Sequence, residues 1–171
     1  EVKNDFFLDH KFLHENGSLF DQENEIIISK FNSITGISAR RYASDNKKAS
    51  DLAFEAAQAA IEDANMDKES LDYIIVAHNF GDLRPGSTQG DILPNLASRV
   101  KQSLEIKNSN CVAYDLLFGC PGWLQGVIHA DAFIRGGLAS KVLVIGAETL
   151  SRVVDHTDRD SMIFADGAGA C

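Results

Sequence analysis

The 171-residue sequence predicts an α/β fold, a mostly parallel central sheet with helices on both faces. Three observations carry that expectation. Tyr73-Ile74-Ile75-Val76-Ala77 and Val142-Leu143-Val144-Ile145 are continuous apolar runs without polar alternation, which is how strands covered on both faces read. A third short apolar run, Cys111 to Tyr114, lies between them. Helical segments separate the three, and strand, helix, strand, helix, strand is the order of a sheet with right-handed crossovers.

Composition narrows the class. Hydrophobic residues make up 44% and charged residues 24%, a globular balance rather than a disordered one. A net charge of −9 with 16 Lys and Arg argues against nucleic acid as a partner. No apolar run reaches membrane-spanning length and the first residues hold no signal-peptide core, so no membrane association is expected. Three cysteines form neither a disulfide framework nor a zinc pattern. The expectation is a reducing, cytoplasmic setting and no metal.

In chain order, residues 1–48 read as an irregular N-terminal segment with a short helix over 4–14. Residues 49–171 read as the α/β core. Glu15 to Glu25 is a polar loop with a turn at Asn16-Gly17, and Ile26 to Phe31 is an apolar run of undecided type. Thr35 to Tyr42 is a loop carrying Arg40 and Arg41, either ordinary surface or structurally paired bases or contacts to a phosphate or carboxylate, which suits the guanidinium fork. Ser50 is an N-cap with Asp51 in the first turn, opening an Ala-rich helix over 51–65 that presses closely on a neighbour. Asn65 tolerates its left-handed C-cap. After the strand ending at Ala77, His78 to Gly90 is a loop, and a helix follows from Gln89 or Asp91 to Leu104. Gly136-Gly137 stop the helix that follows the third apolar run. Ile163 to Cys171 reads as a turn feeding a strand, so the expectation is a truncated domain with an unusually large apolar face exposed.

The stretch with chemistry in it is Tyr114-Asp115-Leu116-Leu117-Phe118-Gly119-Cys120-Pro121-Gly122. It takes the chain from strand to helix through a tight turn. Pro121 at the first helical position puts Cys120 at or beside the N-cap, where free backbone N–H groups and the helix dipole favour an anion. The thiolate is the nucleophilic form of cysteine, and nearby N–H groups begin an oxyanion hole. Cys120 is therefore the candidate nucleophile. Ligands gather beyond the carboxyl ends of the strands in open α/β sheets, which places 78–90, the Cys120 elbow and 149–160 together.

The other reactive residues have plainer readings. Cys111 inside a strand and Cys171 at the end of one are structural. His10 and His14 are exposed, His129 lies more than two helical turns from Cys120, and His78 is the one plausible local base. Asp155-His156-Thr157-Asp158-Arg159-Asp160 is a solvated turn rather than a metal site, and Trp123 is packing. Gly167-Ala168-Gly169 precedes a strand rather than following one, so it is weak as a phosphate loop.

Four stretches together resemble one family. They are Thr35-Gly36-Ile37 with Arg40-Arg41, the Ala-rich helix with Tyr73 to Ala77, the Cys120 elbow, and Asp158-Arg159 followed by Ile163-Phe164-Ala165-Asp166-Gly167-Ala168-Gly169-Ala170. Their order and spacing resemble the N-terminal half of β-ketoacyl-acyl-carrier-protein synthase III, a condensing enzyme of the thiolase fold. The resemblance implies that Cys120 accepts an acyl group from a coenzyme A thioester, which is a substrate and not a cofactor. It further implies that malonyl-acyl carrier protein then decarboxylates and attacks the acyl-enzyme. Acyl carrier protein and a second copy of the chain are the implied partners. Arg159 matches an arginine near the coenzyme adenine. The histidine and asparagine that assist decarboxylation lie in the family's second half, outside these residues, so the segment alone is expected to be inactive in condensation.

The sequence departs from the family at the site. The usual Ala-Cys-Ala-Gly is Gly119-Cys120-Pro121-Gly122. The tryptophan and arginine that flank the adenine fall on Lys30 and Ile34, and the Gly-Thr after the arginine is Asp160-Ser161. A different acyl thioester, or an acyl chain on a carrier protein, fits these changes equally well. The rival readings are a non-catalytic half-domain that binds carrier protein or a partner, and a Rossmann-type nucleotide-binding domain.

Overall fold

A computed structural model describes all 171 residues. In chain order the elements are β1 (Val2–Lys3), α1 (Asn24–Thr35), β2 (Ala39–Arg40), α2 (Ala49–Asp63), β3 (Tyr73–His78), α3 (Leu96–Ser103), β4 (Val112–Leu117), α4 (Gly122–Arg135), β5 (Val142–Thr149) and β6 (Asp166–Ala170). Strands β4, β3, β5 and β6 form one sheet in that order. The β4–β3 and β3–β5 pairs are parallel, and β6 closes the far edge antiparallel to β5.

Both faces of the sheet are covered, which is why the strands do not alternate. Ile74, Val76, Leu143 and Ile145 point into a cluster with Ala49, Ala53, Ala57, Leu96, Ala97 and Val100 of α2 and α3. Ile75 and Val144 point the other way, onto Ala130 of α4. Each such side chain contributes about 1.5–3 kcal/mol on burial. The Ala49, Ala53, Ala57 stripe is fully buried, so α2 approaches the sheet with only methyl groups between. On the opposite face Gly122 and Gly126 do the same for α4. A Cβ on Gly126 would stand 2.8 Å from Val144 Cγ1.

The N-terminal segment makes its own cluster from Phe7, Phe12, Ile27, Ile28 and Met162. The expected helix over 4–14 is a single 3-10 turn, Asn4–Phe7, because Phe7 and Phe12 turn inward instead of sharing one helical face. The undecided run at 26–31 is the middle of α1, closed by Gly36 in the left-handed conformation at φ 71°. Ser50 is not the N-cap of α2. That place is taken by Lys48, while Ser50 donates through its backbone N–H and hydroxyl to Asp82. Asn65 does adopt the left-handed conformation, at φ 46°.

Two boundaries lie elsewhere than expected. Helix α3 begins at Leu96 rather than near 90, because Asp82 and Asp91 pair their backbones and hold 82–91 as a closed loop. Arg99 donates to both carboxylates, at 2.6 Å to Asp82 and 2.8 Å to Asp91. Strand β4 runs three residues past Tyr114, which carries Asp115 into the sheet. No helix is long and apolar enough to cross a membrane. Around the elbow, on α4 and along the free edge at β4, Val112, Leu117, Phe118, Trp123, Leu124 and Ile128 are exposed.

Candidate active site

The carboxyl ends of β3, β4 and β5 meet at one edge, as the strand order requires. Three consecutive devices build the site there. Gly119 turns the chain at φ 79°, a conformation that glycine adopts without strain. Cys120 follows, exposed, and Pro121 then caps the 14-residue helix α4. Cys120 thus stands one residue before the cap, at the mouth of the helix. Its backbone N–H has no partner, nor do those of Trp123 and Leu124 in the first turn, since Pro121 and the elbow offer them no carbonyl. An anion at the sulfur, or on a carbonyl oxygen beside it, meets unpaired donors and the positive end of the helix.

Next to the elbow, Asn79 and Glu148 join the ends of β3 and β5. The Asn79 N–H and Nδ2 donate to Glu148 Oε2 at 2.8 and 2.9 Å, and Gly119 N–H donates to Asn79 Oδ1 at 3.0 Å. Sequence reading placed Asn79 in the 78–90 loop and ended the last of the three strands at Ala147, whereas Glu148 lies within β5; it gave neither residue a role. A polar residue directly after a buried strand was the available signal.

His78 is not a free base. Its Nδ1 accepts the Gly81 N–H at 3.0 Å, so the ring proton sits on Nε2, 2.7 Å from Asp115 Oδ2. The side chain is fully buried and both nitrogens are used. Asp115 also accepts the Leu96 and Ala97 N–H groups at 2.8 Å each, which caps α3. The pair therefore fastens the 78–91 loop and α3 to β4.

The arginines separate. Of the two readings of Arg40, the structure shows the structural pairing and not the phosphate or carboxylate contact: the side chain is 5% exposed and spent inside the N-terminal cluster. It donates to Asn4 Oδ1 at 2.7 Å and to the Met162 carbonyl at 3.1 Å, with Phe7 4.9 Å beneath it. Desolvation pushes its guanidinium down from the ordinary value. Arg41 is exposed and stands outside the cavities that α1 and the 155–160 turn line. Arg159 is exposed over the Phe20 ring, at 5.0 Å, on the rim of a cavity of about 520 Å³ between α1 and the 159–163 turn. Ile27, Phe31, Ile34 and Met162 give that cavity its apolar wall, and Lys30 adds a second cation. Cys120 is not part of its lining.

The remaining residues hold no site chemistry. Cys111 is buried, and burial pushes its thiol up. Cys171 is exposed rather than packed, since only its backbone pairs, with Val144. His14 is exposed and stacks on Phe20, whereas His10 is half-buried among aromatic rings, which pushes its imidazole down. No group of His, Cys, Asp and Glu has metal-binding geometry.

Comparison with known proteins bears on the family resemblance. A sequence profile of 3-oxoacyl-[acyl-carrier-protein (ACP)] synthase III matches residues 114–171, the elbow through the final strand. The β-ketoacyl-[acyl-carrier-protein] synthase III of Paracoccus denitrificans is 42% identical over 137 residues. This chain is a relative of the β-ketoacyl-acyl-carrier-protein synthases III. The fold agrees: the synthase III of Thermus thermophilus superposes with a TM-score of 0.66 at 39% identity, over 80% of this chain and 39% of that one. A 3-oxoacyl-(acyl-carrier-protein) synthase of Burkholderia xenovorans superposes with a TM-score of 0.77 at 26% identity, over 99% of this chain and 42% of that one. The Paracoccus match takes in 80% of this chain and 39% of that protein, so the chain spans about two-fifths of the synthases it matches. The sheet and the helices on its two faces are thus a thiolase-type α/β unit.

Proposed function

We propose that Cys120 is the acyl-accepting nucleophile of a synthase III-type acyltransferase. One observation carries the reading: the sole thiol at the strand-to-helix elbow is exposed beside unpaired N–H groups, inside the stretch that matches the synthase III profile. In the step proposed, the Cys120 thiolate attacks the carbonyl carbon of an acyl thioester and a new C–S bond forms. The oxyanion is held by the Cys120 N–H, then collapses, and the old C–S bond breaks to release the donor thiol, which takes up a proton. The thioester is the only co-reactant, so no cofactor is required.

Condensation of the acyl group with malonyl-acyl carrier protein, as in fatty-acid synthesis, would complete the reaction. The chain's one candidate base at this edge is not free for it, since His78 is committed to Asp115 and Gly81. We therefore assign acyl acceptance to these residues and condensation to groups outside them. Arg159 and Lys30, on the cavity rim, are the proposed contacts for the donor's phosphate or carboxylate groups. The free β4 edge with its apolar flank is the proposed pairing surface for a second copy.

Release of free thiol from acyl-coenzyme A and from acyl-acyl carrier protein tests the reading. A burst of one equivalent per chain is expected with the wild type, and none with Cys120→Ala. Tight carrier-protein binding, equal in both proteins and without a burst in either, would replace it with the non-catalytic half-domain.

A further inference from the structure

Asn79 touches both neighbours of the site at once. Its N–H and Nδ2 converge on one oxygen of Glu148, and its Oδ1 takes the N–H of Gly119, the residue that delivers Cys120. The orientation of the amide follows from chemistry. A carboxylate only accepts and a backbone N–H only donates, so one orientation alone serves both contacts. Glu148 Oε1 is buried without a partner, which leaves Asn79 as the carboxylate's hydrogen-bonding partner. The ladder between β3 and β5 ends at Ala77 and Gly146, short of both side chains, so the sheet does not need this junction to form. Gly119 has only Pro121 Cδ, at 4.0 Å, near the place of a Cβ, so packing does not fix the turn either.

We infer that Asn79, oriented by Glu148, is a positioning residue that acts through the Gly119 N–H to set the elbow carrying Cys120. The inference rests on reading Cys120 as the nucleophile. It adds a consequence for the chemistry: the Gly119 N–H is occupied, and the Cys120 N–H is the elbow donor left to face an oxyanion.

The test is alkylation of the folded protein by iodoacetamide between about pH 6 and pH 10, where thiols titrate. Peptide mass mapping separates Cys120 from Cys171, whose exposed thiol is the internal reference. Asn79→Ala is expected to lower the Cys120 rate relative to Cys171 about tenfold and to change its pH profile, the scale of a lost positioning contact. Asn79→Asp is expected to lower it as well, because two carboxylates then oppose each other. Glu148→Ala removes the acceptor that orients the amide and is expected to lower the rate as well. Because Glu148 acts through Asn79, the pair Asn79→Ala with Glu148→Ala is expected to react within about threefold of Asn79→Ala alone. A Cys120 to Cys171 ratio within about twofold of wild type in Asn79→Ala, or a pair whose loss equals the product of the two single losses, would overturn the inference. Should Asn79→Ala fail to fold, adding Glu148→Ala to Asn79→Asp removes the opposing carboxylate and is expected to raise the rate above Asn79→Asp alone; no gain would overturn the inference. Alkylation needs no acyl donor, so a wild type that accepts no acyl group would remove the nucleophile reading and leave this measurement intact.

Discussion

Replacing Asp115 by asparagine probes the junction that holds the site loop. The side chain is 7% exposed and accepts three hydrogen bonds: His78 Nε2 and Leu96 N–H on Oδ2, Ala97 N–H on Oδ1. Asparagine has the same shape, yet either orientation turns its NH2 toward at least one backbone N–H. If the NH2 replaces Oδ1 it faces Ala97; if it replaces Oδ2 it faces Leu96 and the His78 proton. His78 cannot answer by changing tautomer, because Nδ1 is accepting from Gly81. The variant loses at least one bond to a charged acceptor and leaves a buried N–H unpaired, a cost of about 3 kcal/mol. With a urea m-value of about 2 kcal/mol/M, the unfolding midpoint should fall by about 1.5 M. The control is Asp131→Asn, which breaks a solvent-screened, exposed pair with Arg135 and should leave the midpoint nearly unchanged. Equal midpoints for Asp115→Asn and the control would refute the reasoning.

Three further outcomes follow from the packing and the charges. Gly126→Val drives a side chain into Val144 and Ile75, so α4 must lift from the sheet; a loss of about 2–3 kcal/mol in thermal or urea unfolding is expected, and an unchanged midpoint would contradict the close approach. Titration with a thiol reagent should find Cys120 and Cys171 reacting at once and Cys111 only in denaturant; three fast thiols would contradict the buried environment of Cys111. The Asp72 carboxyl is held below the usual carboxylate range by the Ser140 and Lys141 N–H groups. Its folded value lies below its unfolded one, so its contribution is complete above the ordinary value of about 3.9 and is lost as pH falls below it. Asp72→Asn should therefore flatten the acid limb of the stability profile, and parallel wild-type and variant curves down to low pH would contradict the assignment.

What the sequence reveals of this molecule depends on how local each feature is. The strands are legible over 73–77 and 142–147, because burial on both faces leaves an unbroken apolar run, but not at their polar ends His78 and Glu148-Thr149. The elbow is legible because glycine, cysteine and proline stand next to each other. The start of α3 is hidden, since a long-range bridge between Asp82 and Asp91, tightened by Arg99, decides it. Arg40 looks like a ligand contact in a polar loop, yet its partners Asn4 and Met162 come from opposite ends of the chain. His78 illustrates the same limit: its burial is predictable from the strand it ends, but its commitment to Asp115 requires β4 to continue beyond Tyr114. Asn79 and Glu148 show in the sequence only as polar residues that follow apolar runs, and the sheet brings them to the cysteine.

The account turns on where an incoming acyl group lands. Mass spectrometry of peptides from protein incubated with an acyl-coenzyme A should find the acyl mass on the peptide containing Cys120, removable by hydroxylamine, with the Cys111 and Cys171 peptides unmodified. An adduct on exposed Cys171 at equal or greater yield, or no adduct on Cys120, would contradict it.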